Sequence, residues 1–159
     1  MSLFRLAKNN EELAQHMKKH LDFVNSIGSF YRFFKISYRD SDYDANWVEF
    51  EHRSTAFDSN RYGSVHGGVI GMFLDTAMGL AAYEAGTGNS APTMDLHMNF
   101  LKAIRPGDDL IIRATLMNAG KRTAVVKGEV LVDGEVRVIA TSTCRIYSET
   151  RPDRPALAE

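Results

Sequence analysis

Gly67-Gly68-Val69-Ile70-Gly71-Met72-Phe73-Leu74-Asp75-Thr76-Ala77-Met78-Gly79-Leu80-Ala81-Ala82-Tyr83-Glu84-Ala85 is the stretch on which the fold turns. Projected at about 100° per residue, Val69, Ile70, Phe73, Leu74, Ala77, Leu80 and Ala81 share one broad side. Gly68, Gly71, Asp75, Gly79, Ala82 and Gly86 share the other. A helix that is apolar or small nearly all round is a buried helix, not an amphipathic surface one. Glycine inside an exposed helix costs roughly 1 kcal/mol relative to alanine. A glycine-lined side therefore points to close approach by another backbone or a ligand. Asp75 is the only side chain charged at neutral pH between His66 and Glu84. A carboxylate in such a place must be paired, hydrogen-bonded or functional, and the helix alone does not decide between structure and catalysis.

The preceding segment, Asn60-Arg61-Tyr62-Gly63-Ser64-Val65-His66, leads directly into the helix. A helix N-terminus offers unpaired N–H groups and a partial positive charge, the equipment for holding an oxyanion. Gly67 and Gly68 let a carbonyl approach that backbone unobstructed, and His66 and Asn60 bring polar side chains to the same place. His-Gly-Gly alone is weakly specific. Followed by a lone acid nine residues after the histidine, it is much rarer.

Working outward, Asn9 to about Asn25 reads as a helix. Asn9 and Glu12 have capping-box spacing, and Leu13, Met17, Leu21 and Val24 recur every three or four residues. Gly28 is its expected end. Two aromatic-rich runs, Phe30 to Tyr38 and Asn46 to Glu51, read as strands separated by a turn at Arg39-Asp40-Ser41-Asp42. Arg53 to Ser64 reads as a loop. After the central helix the chain turns strongly β. Met94, Leu96, Met98 and Phe100 alternate with Thr93, Asp95, His97 and Asn99. Leu110, Ile112, Ala114 and Leu116 mark the next strand, then Ala124, Val126, Val130 and Val132, then Val136, Val138, Ala140, Cys144 and Ile146. Asp133-Gly134 is a two-residue hairpin signal. From Ser148 the composition becomes that of a loose tail. The order predicts an α+β domain, one sheet covered by one apolar helix.

Composition narrows the function. The chain has 159 residues, 44% hydrophobic and 25% charged, enough for one cored domain. A formal net charge of -1 gives no reason to expect nucleic acid or an anionic membrane as partner. No run approaches the roughly 18 apolar residues needed to span a bilayer, and none near the start reads as a secretory signal. With Cys144 as the only cysteine, an internal disulfide is impossible, and a reducing cytoplasm is the expected location. Cys144 itself reads as a packed strand thiol.

Taken together, Asn60-x-x-Gly63-x-x-His66-Gly67-Gly68 and Leu74-Asp75-x-Ala77-x-Gly79 resemble the signature of hotdog-fold thioesterases of the phenylacetate-degradation (PaaI) type. Thr93-Met94-Asp95-Leu96-x-x-x-Phe100-Leu101 and Gly120-Lys121-Arg122-Thr123-Ala124 resemble that family's following strand and hairpin. The resemblance runs from about Gly28 to Tyr147. It implies a hotdog domain over 29–148, with a six-stranded antiparallel sheet wrapped around the central helix. Residues 1–28 would add an extra N-terminal helix and 149–159 a flexible tail. It further implies a homodimer, with a tetramer as the next assembly, and active sites at the subunit interface. Asn60, His66 and Gly67 would come from one subunit, Asp75 and Thr93 from the other. Asp75 would act as general base or nucleophile on an acyl-CoA thioester, with the Gly67 N–H as oxyanion donor and Thr93 placing the water. Gly68, Lys121 and Arg122 would contact the substrate or its coenzyme A. No metal or further cofactor is expected, because coenzyme A arrives as part of the substrate.

The remaining polar residues carry blander expectations. His16 and His20 read as a solvated helix face, His97 and Asp95 as structural, and Lys102 and Arg105 as surface cations near turns. Two other functions compete with hydrolysis: a hotdog dehydratase or hydratase acting on acyl chains, and a non-catalytic acyl-CoA sensor.

Overall fold

Four alternating runs after residue 92 need a covered sheet face, and an all-apolar helix needs a surface to cover. The computed structural model, which describes residues 2–26, 33–86, 88 and 90–147, meets both needs at once. Helix α1 spans Asn10–Ser26, β1 Ser37–Asp42, β2 Trp47–Arg53, α2 Gly67–Glu84, β3 Thr93–Phe100, β4 Asp109–Ala119, β5 Thr123–Val132 and β6 Glu135–Arg145. The strands form one antiparallel sheet in the order β1-β2-β4-β5-β6-β3. This is the hotdog arrangement, with α2 as the crossover from β2 to the far edge strand β3.

The inward residues of β4 and β5 are buried as their alternation requires. One position on that face explains where the helix sits. Gly128 pairs with Ala114 on one side and Ala140 on the other, making a row of small residues across three strands. A Cβ at Gly128 would collide with the side chains of Met78 and Leu74. The helix is therefore seated in a depression cut by small residues. Phe73, fully buried on the same helix, is the kind of residue whose truncation to alanine costs about 3–5 kcal/mol.

Helix α1 joins the same core through Leu13, Met17 and Leu21. Its first turn is held by Asn9, whose Oδ1 accepts the Glu12 N–H at 2.9 Å. The reciprocal half of the box is displaced by one residue, since Glu12 Oε2 accepts from the Lys8 N–H at 3.0 Å. Gly28, the beginning of the strand expected from Phe30, and the tail from Ser148 lie outside the described residues.

The first hairpin corrects the sequence reading. Arg39-Asp40-Ser41-Asp42, expected as a turn, is the body of β1, and the reversal comes at residues 43–46. There Asp42 Oδ1 accepts the N–H groups of Asp44 and Ala45, and Asn46 takes a left-handed φ of 63°. β1 is an edge strand, where charged residues are tolerated and protective. Ser41, its buried residue, bonds Tyr38 and Asn10 of α1. The Asp133-Gly134 hairpin forms as expected, with positive φ at both residues.

Candidate active site

The loop before α2 is organised by the residues that singled it out. Asn60 Oδ1 accepts the Tyr62 N–H at 2.8 Å, and Asn60 Nδ2 donates to Ser64 Oγ at 2.9 Å. Gly63 sits at φ 76°, in the left-handed region that glycine adopts without strain. Asn60 is thus the loop's internal brace, and its second Nδ2 hydrogen has no acceptor among the described residues.

His66 caps the helix. Its φ of -64° and ψ of 130° are extended, and its Nδ1 accepts the Gly68 N–H at 2.9 Å. Accepting through Nδ1 leaves Nε2 to carry the ring proton, a donor on an exposed ring. The His66 carbonyl takes the Val69 and Ile70 N–H groups at 2.9 and 3.2 Å. Gly67 N–H, by contrast, has no acceptor among the described residues. Of the first helical amides it is the one left to bind an anion. Gly68, expected to meet the substrate, has its amide occupied by the cap.

Beside Gly67 lies a groove of about 320 Å³, polar at Asn60 and Ser64 and apolar at Ile70, Phe100 and Val138. The Phe100 ring closes on the helix start so tightly that a Cβ at Gly67 would meet its Cζ at 3.1 Å. A side chain there would have to displace the Phe100 ring by a few tenths of an ångström.

Asp75 lies eight residues further along the helix, about 12 Å away at 1.5 Å per residue. It is half-buried in the single chain, less enclosed than the sequence led us to expect. Thr93, at the start of β3, donates its hydroxyl to Asp75 Oδ1 at 2.6 Å. Such a charge-assisted bond fixes one carboxylate oxygen, and the other has no hydrogen-bond partner among the described residues. On this side Gly79 faces open space, with nothing among the described residues within 4 Å of an added Cβ. Lys121 and Arg122 are exposed at the β4–β5 turn, on the sheet end where Thr93 pairs with Cys144. Cys144 is buried, and burial pushes its thiol up, with the charges of Asp75 and Asp95 adding to that. Asp95 Oδ1 accepts the Thr143 N–H at 3.2 Å, a strand-edge role, while His97 is exposed.

One chain therefore brings together Asn60, His66 and Gly67, and separately Asp75 and Thr93. It does not unite the two groups.

Sequence reasoning missed two histidine–carboxylate pairs. His16 and His20 do not line a solvated face. His16 Nδ1 lies 3.0 Å from Glu84 Oε2, and His20 Nε2 lies 3.7 Å from Oε1, with Glu84 fully buried. The helical spacing of the two histidines was visible; the acid that joins them is 64 residues beyond His20. His52 and Asp58 form the second pair, buried beneath the loop. Among the described residues no group of three metal-ligating side chains could hold a metal ion.

Residues 62–139 match the sequence profile of the thioesterase superfamily. Thioesterase superfamily member 2 of zebra fish superposes with a TM-score of 0.76 at 17% identity, over 89% of this chain and 100% of its own. A Ralstonia eutropha phenylacetic acid degradation-related protein gives 0.72 at 26%, over 82% and 99%. A Streptococcus mutans protein bound to acetyl CoA gives 0.66 at 25%, over 73% and 91%. No curated protein sequence matches the chain. Residues 62–139 thus fit the thioesterase superfamily profile, the architecture is that of hotdog-fold structures, and PaaI-type proteins are among the structural neighbours.

Proposed function

We propose that the protein hydrolyses acyl-CoA thioesters at a site completed by two copies of the chain. The observation that carries this reading is the unpartnered Gly67 N–H above an apolar groove, on the same helix as a carboxylate too distant to reach it. A symmetric pairing across the β3 edge would set each Gly67 opposite the other subunit's Asp75. β3 pairs only with β6 and exposes Met94 and Phe100, with Leu101 exposed just beyond its end. The open space at Gly79 allows a second backbone to approach.

In this reading the acyl group occupies the groove and its carbonyl oxygen accepts from Gly67 N–H. Asp75, held by Thr93, takes a proton from water as the water oxygen attacks the carbonyl carbon. The tetrahedral intermediate collapses, the carbon–sulfur bond breaks, and coenzyme A leaves as a thiolate that regains a proton. A general base is worth about 10²–10⁴-fold and one oxyanion donor roughly 10²–10³. Lys121 and Arg122 meet the phosphates of coenzyme A. The active form is a dimer, or a tetramer built from it. A reducing cytoplasm suits the single thiol, and no described helix is long and apolar enough to cross a membrane.

The test is a panel of aryl- and fatty-acyl-CoAs read by free thiol. Thiol release that follows enzyme concentration is the expected result. Loss of enoyl absorbance without thiol would replace hydrolysis by hydration, and tight binding without turnover would make the protein a sensor.

A further inference from the structure

We propose that the buried His52–Asp58 pair is a positioning device for the oxyanion amide, acting through the loop that ends at Gly67; this rests on the hydrolytic reading above. Asp58 is 2% exposed and ties the loop at both ends. At the start, its Oδ2 accepts the Thr55 N–H at 2.6 Å and the Thr55 hydroxyl at 3.2 Å. At the finish, its backbone carbonyl accepts the His66 N–H at 2.7 Å. His66 is the residue that caps α2 and precedes Gly67. A shift of Asp58 is therefore passed to the reacting amide through one hydrogen bond and one peptide unit.

His52 fixes Asp58 from beneath. Its Nδ1 lies 2.8 Å from the Lys35 carbonyl, to which it can only donate. Its Nε2 lies 3.2 Å from Asp58 Oδ2. The ring also rests on Phe73, centroid to centroid 4.5 Å, and Phe73 is fully buried on α2 two residues before Asp75. Loop, β2 and the helix carrying the catalytic acid thus meet at one imidazole. Neither His52 nor Asp58 is among the residues lining the groove beside Gly67, so their contribution falls on geometry and not on substrate contact.

Oxyanion stabilisation is sensitive to such geometry: a misplacement of about 1 Å can cost 10²-fold. Asp58→Asn keeps the size and an oxygen for Thr55 but loses the charge facing His52. His52→Phe keeps the packing on Phe73 and loses both polar contacts, while His52→Gln restores a donor. Steady-state hydrolysis of one responsive acyl-CoA should show kcat lowered roughly 10–100-fold in Asp58→Asn and His52→Phe, with KM within about threefold. His52→Gln should recover part of kcat. A purely structural pair would instead lower thermal stability and leave kcat per folded site unchanged. If His52→Phe fails to fold, His52→Gln and Asp58→Asn carry the same comparison. Asp75→Asn serves as the control. If that variant stays fully active, the hydrolytic reading falls. If it is inactive while Asp58→Asn and His52→Gln keep wild-type kcat, the positioning role alone is overturned.

Discussion

Asp75 and Glu84 lie nine residues apart on one helix and have opposite surroundings. Glu84 is fully buried, faces two histidines of α1, and its backbone carbonyl receives the N–H groups of Arg5 and Leu6. Asp75 is half-buried, is bonded among the described residues to a single hydroxyl, and borders the open flank at Gly79. The more deeply buried acid is the one tied to its own chain. A carboxylate walled in by its own chain fastens elements together, whereas one held on one oxygen and open on the other can do chemistry. On the hydrolytic reading proposed above, burial alone would select the wrong residue.

The contrast can be broken by exchanging the losses. Asp75→Asn should lower thiol release by about 10²–10⁴-fold, with an unfolding midpoint close to wild type in the same buffer. Glu84→Ala should do the reverse. Removing the buried carboxylate from two partly exposed histidines costs about 1–3 kcal/mol, which urea unfolding would read as a lower midpoint, while kcat of the folded protein stays unchanged. A catalytic defect in Glu84→Ala with normal stability would erase the distinction.

Smaller effects sharpen it. Thr93→Val removes the hydroxyl that orients Asp75 and should reduce kcat about tenfold, whereas Thr93→Ser should keep most activity. The smallest effect is at Cys144. Its thiol is raised chiefly by burial and further by the Asp75 charge. The folded chain holds that proton more tightly than the unfolded chain, so stability falls as pH rises past the thiol's ordinary value. Thiolate absorbance of native Cys144 should rise at slightly lower pH in Asp75→Asn than in wild type. Glu84→Gln should leave the profile unmoved.

The parts legible in the sequence were those whose signal is local. An all-apolar helix with one acid, a glycine-rich approach to its start, and period-2 strands each announce themselves within twenty residues. α2, β4, β5 and β6 lie where those patterns put them. β1 was misplaced because an edge strand can carry the same charged residues as a turn. The clasp of His16 and His20 on Glu84, and of His52 on Asp58, depends on which elements become neighbours, and no short spacing encodes that. Gly128 is intermediate. A glycine in the inward parity between Val126 and Val130 signals a close approach, but only the folded sheet shows that α2 is what approaches.

The two-subunit site is tested most directly by mixing. Asp75→Asn and His66→Ala proteins, each deficient alone, would be unfolded, combined in equal amounts and refolded. If each site takes its acid from one subunit and its capped amide from the other, random pairing leaves half of all dimers mixed, each with one intact site. Thiol release should then recover to roughly a quarter of wild type. Recovery no greater than the average of the two separate variants, with mixed dimers shown to be present, would contradict a shared site.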